Sequence, residues 1–272
     1  MTLVMGIVNV TPDSFSDGGR WASADAAIEQ GLRLARQGAD IIDVGGESTR
    51  PGAAPVDRAE EHARVVPVVE ALTAEGLTVS IDTMWASTAQ AAVAAGASLV
   101  NDVSGGLADP VMASTVADAG CDFVAMHWRA PSALMDARDS YVDVVAEVRD
   151  ELAARLDALT AAGIDAQRII LDPGLGFSKV GESNWPLLAN IGAWAGDARV
   201  LIGASRKRFL GAAIAVPGLA HPEPEGRDHA TTAVTTLCAD RGVWGVRVHD
   251  AQAAADAIAV VSAWQNAFDT EE

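Results

Sequence analysis

Arg247 and His249 stand two residues apart in the run GVRVHD, a spacing that on a β-strand turns both side chains to one side. A guanidinium and an imidazole set together can grip one anion. Ser205-Arg206-Lys207-Arg208 is the densest positive spot in a chain of net charge −18. If Ser205-Arg206 opens a helix, its free amides favour an anion as well. Together these residues point to a phosphate or diphosphate. Asp82, Asn101, Asp172 and Lys207 supply acceptors and donors suited to a neutral heterocycle: carboxylates accept amino or ring hydrogens, and an ammonium reaches a carbonyl or ring nitrogen. Each has a plainer reading, since Asp82 and Asp172 are good helix N-caps and Lys207 can simply be solvated.

Other chemistries find less support. His127 has no second histidine at zinc spacing, so zinc is not expected and a satisfied core or supporting residue is the plain reading. Mg²⁺ needs fewer protein ligands, because it rides on a diphosphate and borrows one or two protein oxygens, for which Asn9 is the candidate. There is no GxSxG elbow, and neither Ser48 nor Ser205 has an evident histidine base.

These residues meet only if the elements between them bring their ends together. Short Val/Ile-rich runs alternate with Ala-rich helical stretches, the pattern of βα units and a parallel sheet. Eight runs are expected as strands: Leu3–Val8, Asp40–Val44, Thr78–Asp82, Ser98–Asp102, Asp122–His127, Arg168–Leu171, Arg199–Ile202 and Val243–Val248. Helices are expected near 23–37, 57–75, 86–95, 109–119, 139–162, 184–195, 206–213, 228–240 and 251–268. In the fifth, Val145, Val148, Leu152, Leu156 and Leu159 mark an inner face. Each run ends in polar residues: Asn9, Asp43, Asp82, Asn101-Asp102, His127, Asp172, Gly203 to Lys207, and Arg247 with His249. Eight such units in one chain of 272 residues close as a single-domain (β/α)₈ TIM barrel, whose carboxyl-end face builds active sites. An open doubly wound sheet is the rival, but no GxGxxG follows the first run.

The first run breaks at Pro12 into a polar, glycine-ended loop, Thr11 to Gly19, which carries Asp13, Phe15 and Asp17. Ala130–Arg138 and Val216–Gly226 are breaker-rich excursions too short to divide the chain, so residues 1–272 form one domain with 269–272 as a frayed acidic tail. The acidic balance argues against nucleic acid and anionic lipid as partners. No run is long and apolar enough for a membrane span, and a soluble cytoplasmic protein is expected. Cys121 and Cys238 are too isolated for a disulfide framework and read as small buried residues.

The chain resembles the bacterial dihydropteroate synthases, the folate-pathway enzymes that sulfonamides inhibit. The likeness runs from Met5 to about Val260 and rests on seven motifs in the family's order: GIVNVTPDSFSDGG (Gly6–Gly19), IDVGGESTRPGA (Ile42–Ala53), SIDT (Ser80–Thr83), NDVSGG (Asn101–Gly106), LDPGLGF (Leu171–Phe177), GASRKRF (Gly203–Phe209) and GVRVHD (Gly245–Asp250).

The resemblance implies transfer of a pterinylmethyl group from 6-hydroxymethyl-7,8-dihydropterin diphosphate to 4-aminobenzoate, by a path in which diphosphate departs before the amine attacks. By motif, Asp82, Asn101, Asp172 and Lys207 would hold the pterin, with Met126, Phe177 and Gly203 lining its slot. Arg247 and His249, with Thr49, would take the diphosphate and leave the free pterin to the others, and Asn9 would help through Mg²⁺. Asn9, Lys207, Arg247 and His249 would be the catalytic set. Phe15, Thr49, Arg50, Pro51, Lys207 and Arg208 would close over the aminobenzoate. There many relatives carry a small hydroxylated residue where this chain has Arg208. The loops Thr11–Arg20 and Glu47–Pro55 would act as lids, with Asp13 or Asp17 near the developing cation. Dimerisation through the C-terminal half is the family habit, which makes Trp185, Trp194, Trp244 and Trp264 candidate contacts, although some of them are expected in the core.

Two other readings stay open. A related pterin-binding barrel that passes a methyl group from methyltetrahydrofolate to a corrinoid would not need the STRPG loop or the Arg247/His249 pair. A silent relative that only binds pterin or another protein would keep the barrel and lose loop residues.

Overall fold

A computed structural model describes residues 1–10, 19–47, 56–131, 138–217 and 222–269. Eight parallel strands close in chain order: β1 (Leu3–Asn9), β2 (Ile41–Gly45), β3 (Val79–Asp82), β4 (Leu99–Asp102), β5 (Asp122–Met126), β6 (Ile169–Asp172), β7 (Arg199–Ile202) and β8 (Gly245–Val248), with β8 pairing back to β1. Helices fill the crossovers: α1 (Gly19–Arg36), α2 (Arg58–Ala74), α3 (Ala86–Ala94), α4 (Met112–Ala119), α5 (Val144–Ala161), the short α6 (Trp185–Ala189) and α7 (Ile191–Ala195), α8 (Arg208–Ala213), α9 (Asp228–Asp240) and α10 (Ala251–Asp269). The fold is the expected (β/α)₈ barrel. On α5, Val148, Leu152 and Leu159 are buried and Val145 and Leu156 pack against the core, the face read from their spacing.

Helix starts differ from expectation for identifiable reasons. The α4 helix begins at Met112 because Asp109 is occupied outside it, accepting the Val111 amide at 3.2 Å and the Ala86 amide at 3.1 Å. Helix α5 begins at Val144, where the Asp143 carboxylate accepts the amides of Val145 and Ala146. The stretch 184–195 divides at Asn190, whose φ of −121° leaves the helical region. Ser205-Arg206 does not open a helix. Arg206 has φ of 60°, and its amide already donates to Thr231 Oγ1, so α8 starts at Arg208. At six residues α8 is a weak dipole, and the expected helix-borne anion site is absent there. The C-terminal helix runs to Asp269, so only 270–272 of the expected tail lie outside the described residues.

Strand alternation stacks the barrel interior in layers. A small cluster made only of strand residues, Met5, Ile41, Leu99, Val124, Ile170 and Leu201, fills the centre. Two residues earlier on β5 and β7, Asp122 and Arg199 pair at 2.8 Å on the floor. Two residues later, on the same face, come Asp43, Asn101, Met126, Asp172 and Gly203, joined by Asp82 and Arg247 from the two strands that give the cluster no member. The apolar plug therefore supports a polar layer at the carboxyl ends. A larger cluster fills the space between strands and helices and includes Trp194 and both cysteines, which are free and buried. Trp185 packs on Phe209 with ring centroids 5.1 Å apart, while Trp264 is 67% exposed. Among the described residues no helix is long and apolar enough to cross a membrane.

Leu201 sits in the middle of the plug with no exposed surface. Leu201→Ala is expected to lower unfolding free energy by about 3 kcal/mol, a typical cost of removing a buried leucine side chain. Urea denaturation checks this, and a loss below ~1 kcal/mol would mean that the plug is loosely packed.

Candidate active site

The polar layer is built around Arg247. Its Nε donates to Asp43 Oδ2 and its Nη2 to Asp82 Oδ2, each at 2.6 Å, and Asn101 Nδ2 donates to the same Asp43 oxygen at 3.0 Å. Residues from β2, β3, β4 and β8 thus share one cluster. Burial pushes the Asp82 carboxyl up to about 7, the Arg247 charge opposing and the Asp43 charge reinforcing the shift. Arg247, flanked by two carboxylates, stays protonated at every accessible pH. Arg247, assigned to the diphosphate, directly contacts Asp82, one of the residues assigned to the pterin, so the two sets share one hydrogen-bonded cluster. Asp43, noted in the sequence only as a strand end, is a central member, and its Oδ1 is buried without a hydrogen-bond partner.

Across the mouth, Asp172 Oδ1 accepts the Gly174 amide at 2.7 Å. Its Oδ2 faces the space beside Gly203, where a Cβ would lie 3.7 Å from that oxygen and 3.8 Å from Lys207 Nζ. Gly203 therefore leaves open the gap between a carboxylate and an ammonium. Lys207 also donates to the Leu175 carbonyl and lies 4.7 Å from the centre of the Phe177 ring. Burial lowers its pKa to about 8, with Asp172 opposing. Burial likewise raises Asp172, against the pull of Lys207. Met126 pairs in register with Asp172 and is buried beside it. Neither Asp82 nor Asp172 caps a helix, which disposes of their plainer reading.

His249 follows β8 at once, but its Nδ1 lies 2.9 Å from Ser205 Oγ, and its amide donates to the same oxygen at 3.2 Å. Ser205 thus has a histidine neighbour that its sequence did not reveal, in a local cap that ties the end of β8 to the end of β7. Arg206 is turned away onto Asp228 at 2.8 Å, and Arg227 binds the Arg206 carbonyl and the Pro222 carbonyl, each at 2.9 Å. The positive spot is therefore dispersed: Lys207 faces the mouth, Arg206 faces α9, and Arg208 is exposed. His127 is buried between Lys179 and Glu151, a satisfied core histidine as its plain reading held. Lys179, unassigned in the sequence, is also buried here.

Asn9 ends β1 beside these groups, and its side-chain amide makes no hydrogen bond among the described residues. No group of three or more His, Cys, Asp or Glu that could hold a metal occurs among them either. The available donors, the Asn9 carbonyl oxygen and the partnerless Asp43 Oδ1, are hard oxygens of the kind that suit Mg²⁺. Phe15, Thr49, Arg50 and Pro51, with Asp13, Asp17 and most of both expected lids, lie outside the described residues.

Comparison with known proteins gives this mouth its relatives. The model of the family described as pterin binding enzyme matches residues 5–249. The dihydropteroate synthase of Mycobacterium leprae is 52% identical over 266 residues, covering 97% of this chain and 94% of that protein. The Xanthomonas albilineans dihydropteroate synthase structure with 4-aminobenzoic acid superposes with a TM-score of 0.88 at 45% identity, covering 97% of this chain and 93% of that one. The structure of that enzyme in complex with 7,8-dihydropteroate gives 0.84 at 42%, covering 97% and 94%. On these matches over nearly its whole length, the chain belongs to the pterin-binding enzymes and, within them, to the dihydropteroate synthases.

Proposed function

We infer that the chain joins 6-hydroxymethyl-7,8-dihydropterin diphosphate to 4-aminobenzoate, giving 7,8-dihydropteroate and diphosphate in tetrahydrofolate biosynthesis. The observation that carries this reading is the polar layer of Asp43, Asp82, Asn101, Asp172, Lys207 and Arg247 over the apolar plug, in a chain of this family. Asp82, Asn101 and the free Asp172 Oδ2 accept and donate along the pterin edge, and Lys207 donates to its carbonyl or ring nitrogen. Met126 and Phe177 flank the ring and Gly203 leaves it room. The free face of Arg247 and the His249 ring take the diphosphate with Thr49. Asn9 and Asp43 Oδ1 would hold Mg²⁺, which when bound supplies countercharge to the diphosphate. Phe15, Thr49, Arg50, Pro51, Lys207 and Arg208 enclose the aminobenzoate.

The bond to the leaving diphosphate breaks first, and the methylene cation is delocalised into the electron-rich dihydropterin. The protein's work is to hold separating charges in place and to keep water from the cation. The arylamine is largely unprotonated near neutral pH, so the mouth needs no strong base. A sulfonamide that mimics aminobenzoate would compete for its place. The exposed Leu237 on α9 and Val260 and Trp264 on α10 support a homodimer through this face, and two free buried cysteines fit a reducing cytoplasm.

The direct test incubates the protein with the dihydropterin diphosphate, Mg²⁺ and 4-aminobenzoate. Dihydropteroate that needs both substrates and declines as a sulfonamide is added is expected; pterin binding without product would favour the silent relative. Arg247→Ala should weaken diphosphate and free-pterin binding together and cost about 3–5 kcal/mol of stability, because it leaves two buried carboxylates uncompensated. His249→Ala should raise Kd for inorganic diphosphate roughly tenfold, the loss of one charge-assisted bond, and leave free-pterin affinity within about twofold. Calorimetry separates the two, and equal effects of both variants on pterin would contradict these roles. Val260→Glu is expected to shift sedimentation from dimer to monomer; an unchanged dimer would move the interface elsewhere.

A further inference from the structure

The chain has two lysines, both acting on Asp172, and only Lys207 has a task so far. Lys179 is the more deeply placed, 2% exposed. Its Nζ donates to the carbonyls of Phe177 at 3.1 Å and Gly174 at 3.3 Å, and lies 2.9 Å from His127 Nδ1. The backbone is bent to put it there. Gly174, Gly176 and Ser178 alternate in the left-handed region, with φ of 66°, 73° and 49°. Ser178 carries a Cβ in that region, a strain of order 1–2 kcal/mol, and its buried hydroxyl has no hydrogen-bond partner. At Gly174 a Cβ would come within 2.4 Å of the His127 carbonyl oxygen. Asn184 closes the coil, accepting the Gly176 amide at 2.7 Å and donating to the Lys179 carbonyl at 3.3 Å.

The coil that wraps this ammonium is the one that carries the pterin-slot residues. Gly174 gives its amide to Asp172 Oδ1 and its carbonyl to Lys179, and Phe177 gives its carbonyl to Lys179 and its ring face to Lys207. His127 passes the charge outward. Because Nδ1 accepts from the ammonium, Nε2 carries the hydrogen and donates to Glu151 Oε2 at 2.9 Å. Burial, opposed by Glu151, keeps the imidazole neutral by lowering its pKa to about 4, while the His127 hydrogen bond holds Glu151 ionised at about 2. The result is a chain of cation, neutral relay and anion that ends at Glu151, whose side chain is 42% exposed.

We propose that Lys179 is a positioning residue of the pterin slot: its ammonium, anchored through His127 to Glu151, fixes the coil that sets the Asp172 carboxylate and the Phe177 ring against the ligand. This rests on the function inferred above. Lys179 touches no reacting atom, so it acts on pterin affinity and not on aminobenzoate affinity. The ammonium has three hydrogens for three acceptors, and a neutral amine has two, so loss of its proton loosens the coil. The charged or titratable groups that face it are Asp172 at the end of β6, Lys207 after β7, His127, Arg129 and Tyr141 between β5 and α5, and Glu151 on α5. Burial lowers its pKa to about 7, with Asp172 and Glu151 raising it and Lys207 and Arg129 lowering it. Pterin affinity therefore falls as pH rises through that region, and removal of the Glu151 charge moves the fall to lower pH.

The test titrates 6-hydroxymethyl-7,8-dihydropterin by calorimetry across pH, with steady-state kinetics for both substrates, on the wild type, Lys179→Met and Glu151→Gln. Lys179→Met should weaken the pterin about tenfold or more, raise KM for the dihydropterin diphosphate in step, and leave KM for 4-aminobenzoate within about twofold. Glu151→Gln keeps an acceptor for His127 and removes the charge, and with it the ion pair that Glu151 makes with Arg129. It should cost only a little thermal stability, because the broken pair is partly exposed and Arg129 keeps Glu147, and shift the alkaline fall in pterin affinity downward by roughly half a pH unit or more. A folded Lys179→Met with wild-type pterin affinity, or an unmoved pH profile in Glu151→Gln, overturns the proposal; if Lys179→Met does not fold, the second variant decides. A wild type that neither binds pterin nor forms product would instead overturn the function on which the proposal rests.

Discussion

Two carboxyl groups on neighbouring strands, Asp43 and Asp82, are carried into the barrel mouth with almost no exposed surface, a placement that is costly without a cation hydrogen-bonded beside them. Arg247 is that cation. It reaches from β8 past β1 to β2 and β3, and through the shared Asp43 oxygen it fixes Asn101 on β4 as well. A buried pair of this kind adds little net stability compared with apolar packing, so its place in the mouth is explained by what it fixes. It sets the donors and acceptors of four strand ends in relation to one another before any ligand arrives, and pre-set dipoles do not reorganise when charge separates.

That arrangement depends on the parity of the strands. Because the side-chain period is two, the residues that fill the plug and those that form the mouth occupy the same face at successive inward positions. A one-residue slip of β8 would carry Arg247 out toward the helices and bring Val246 or Val248 inward. The plug and the mouth are thus one constraint: Leu201 and Val124 hold the register that aims Gly203 and Met126.

The alternation of apolar runs and Ala-rich helices made the barrel legible, and the polar endings of the eight runs located its working face. What stayed hidden depends on side-chain direction over long separations. Nothing near Arg247 in sequence says that its partners lie 165 and 204 positions away, so it read as a free anion grip. The run Ser205-Arg206-Lys207-Arg208 read as one positive spot, but a left-handed turn at Arg206 sends its three cations in three directions. Lys179 had a faint local signal in the glycines before it, which permit the coil that turns it inward, yet the matching acceptors come from His127 on another crossover. Asn190 broke a helix that apolar spacing alone made continuous.

The charge balance of the mouth constrains how an anionic substrate enters it. Among the described residues the layer presents three carboxylates, Asp43, Asp82 and Asp172, against Arg247 and Lys207, and Arg247 is already engaged on two sides. The whole chain is acidic, so no long-range field draws in a diphosphate. A diphosphate that arrived bare would add like charge beside Asp43, whose Oδ1 already lacks a partner. Under the proposed function, this mouth would suit a diphosphate that brings its own countercharge, such as a hard divalent cation held at Asn9 and Asp43. In the proposed reaction the same balance would favour departure of the diphosphate once the bond breaks, because ionised carboxyls in the layer would stabilise the pterin cation left behind, more strongly as water is excluded.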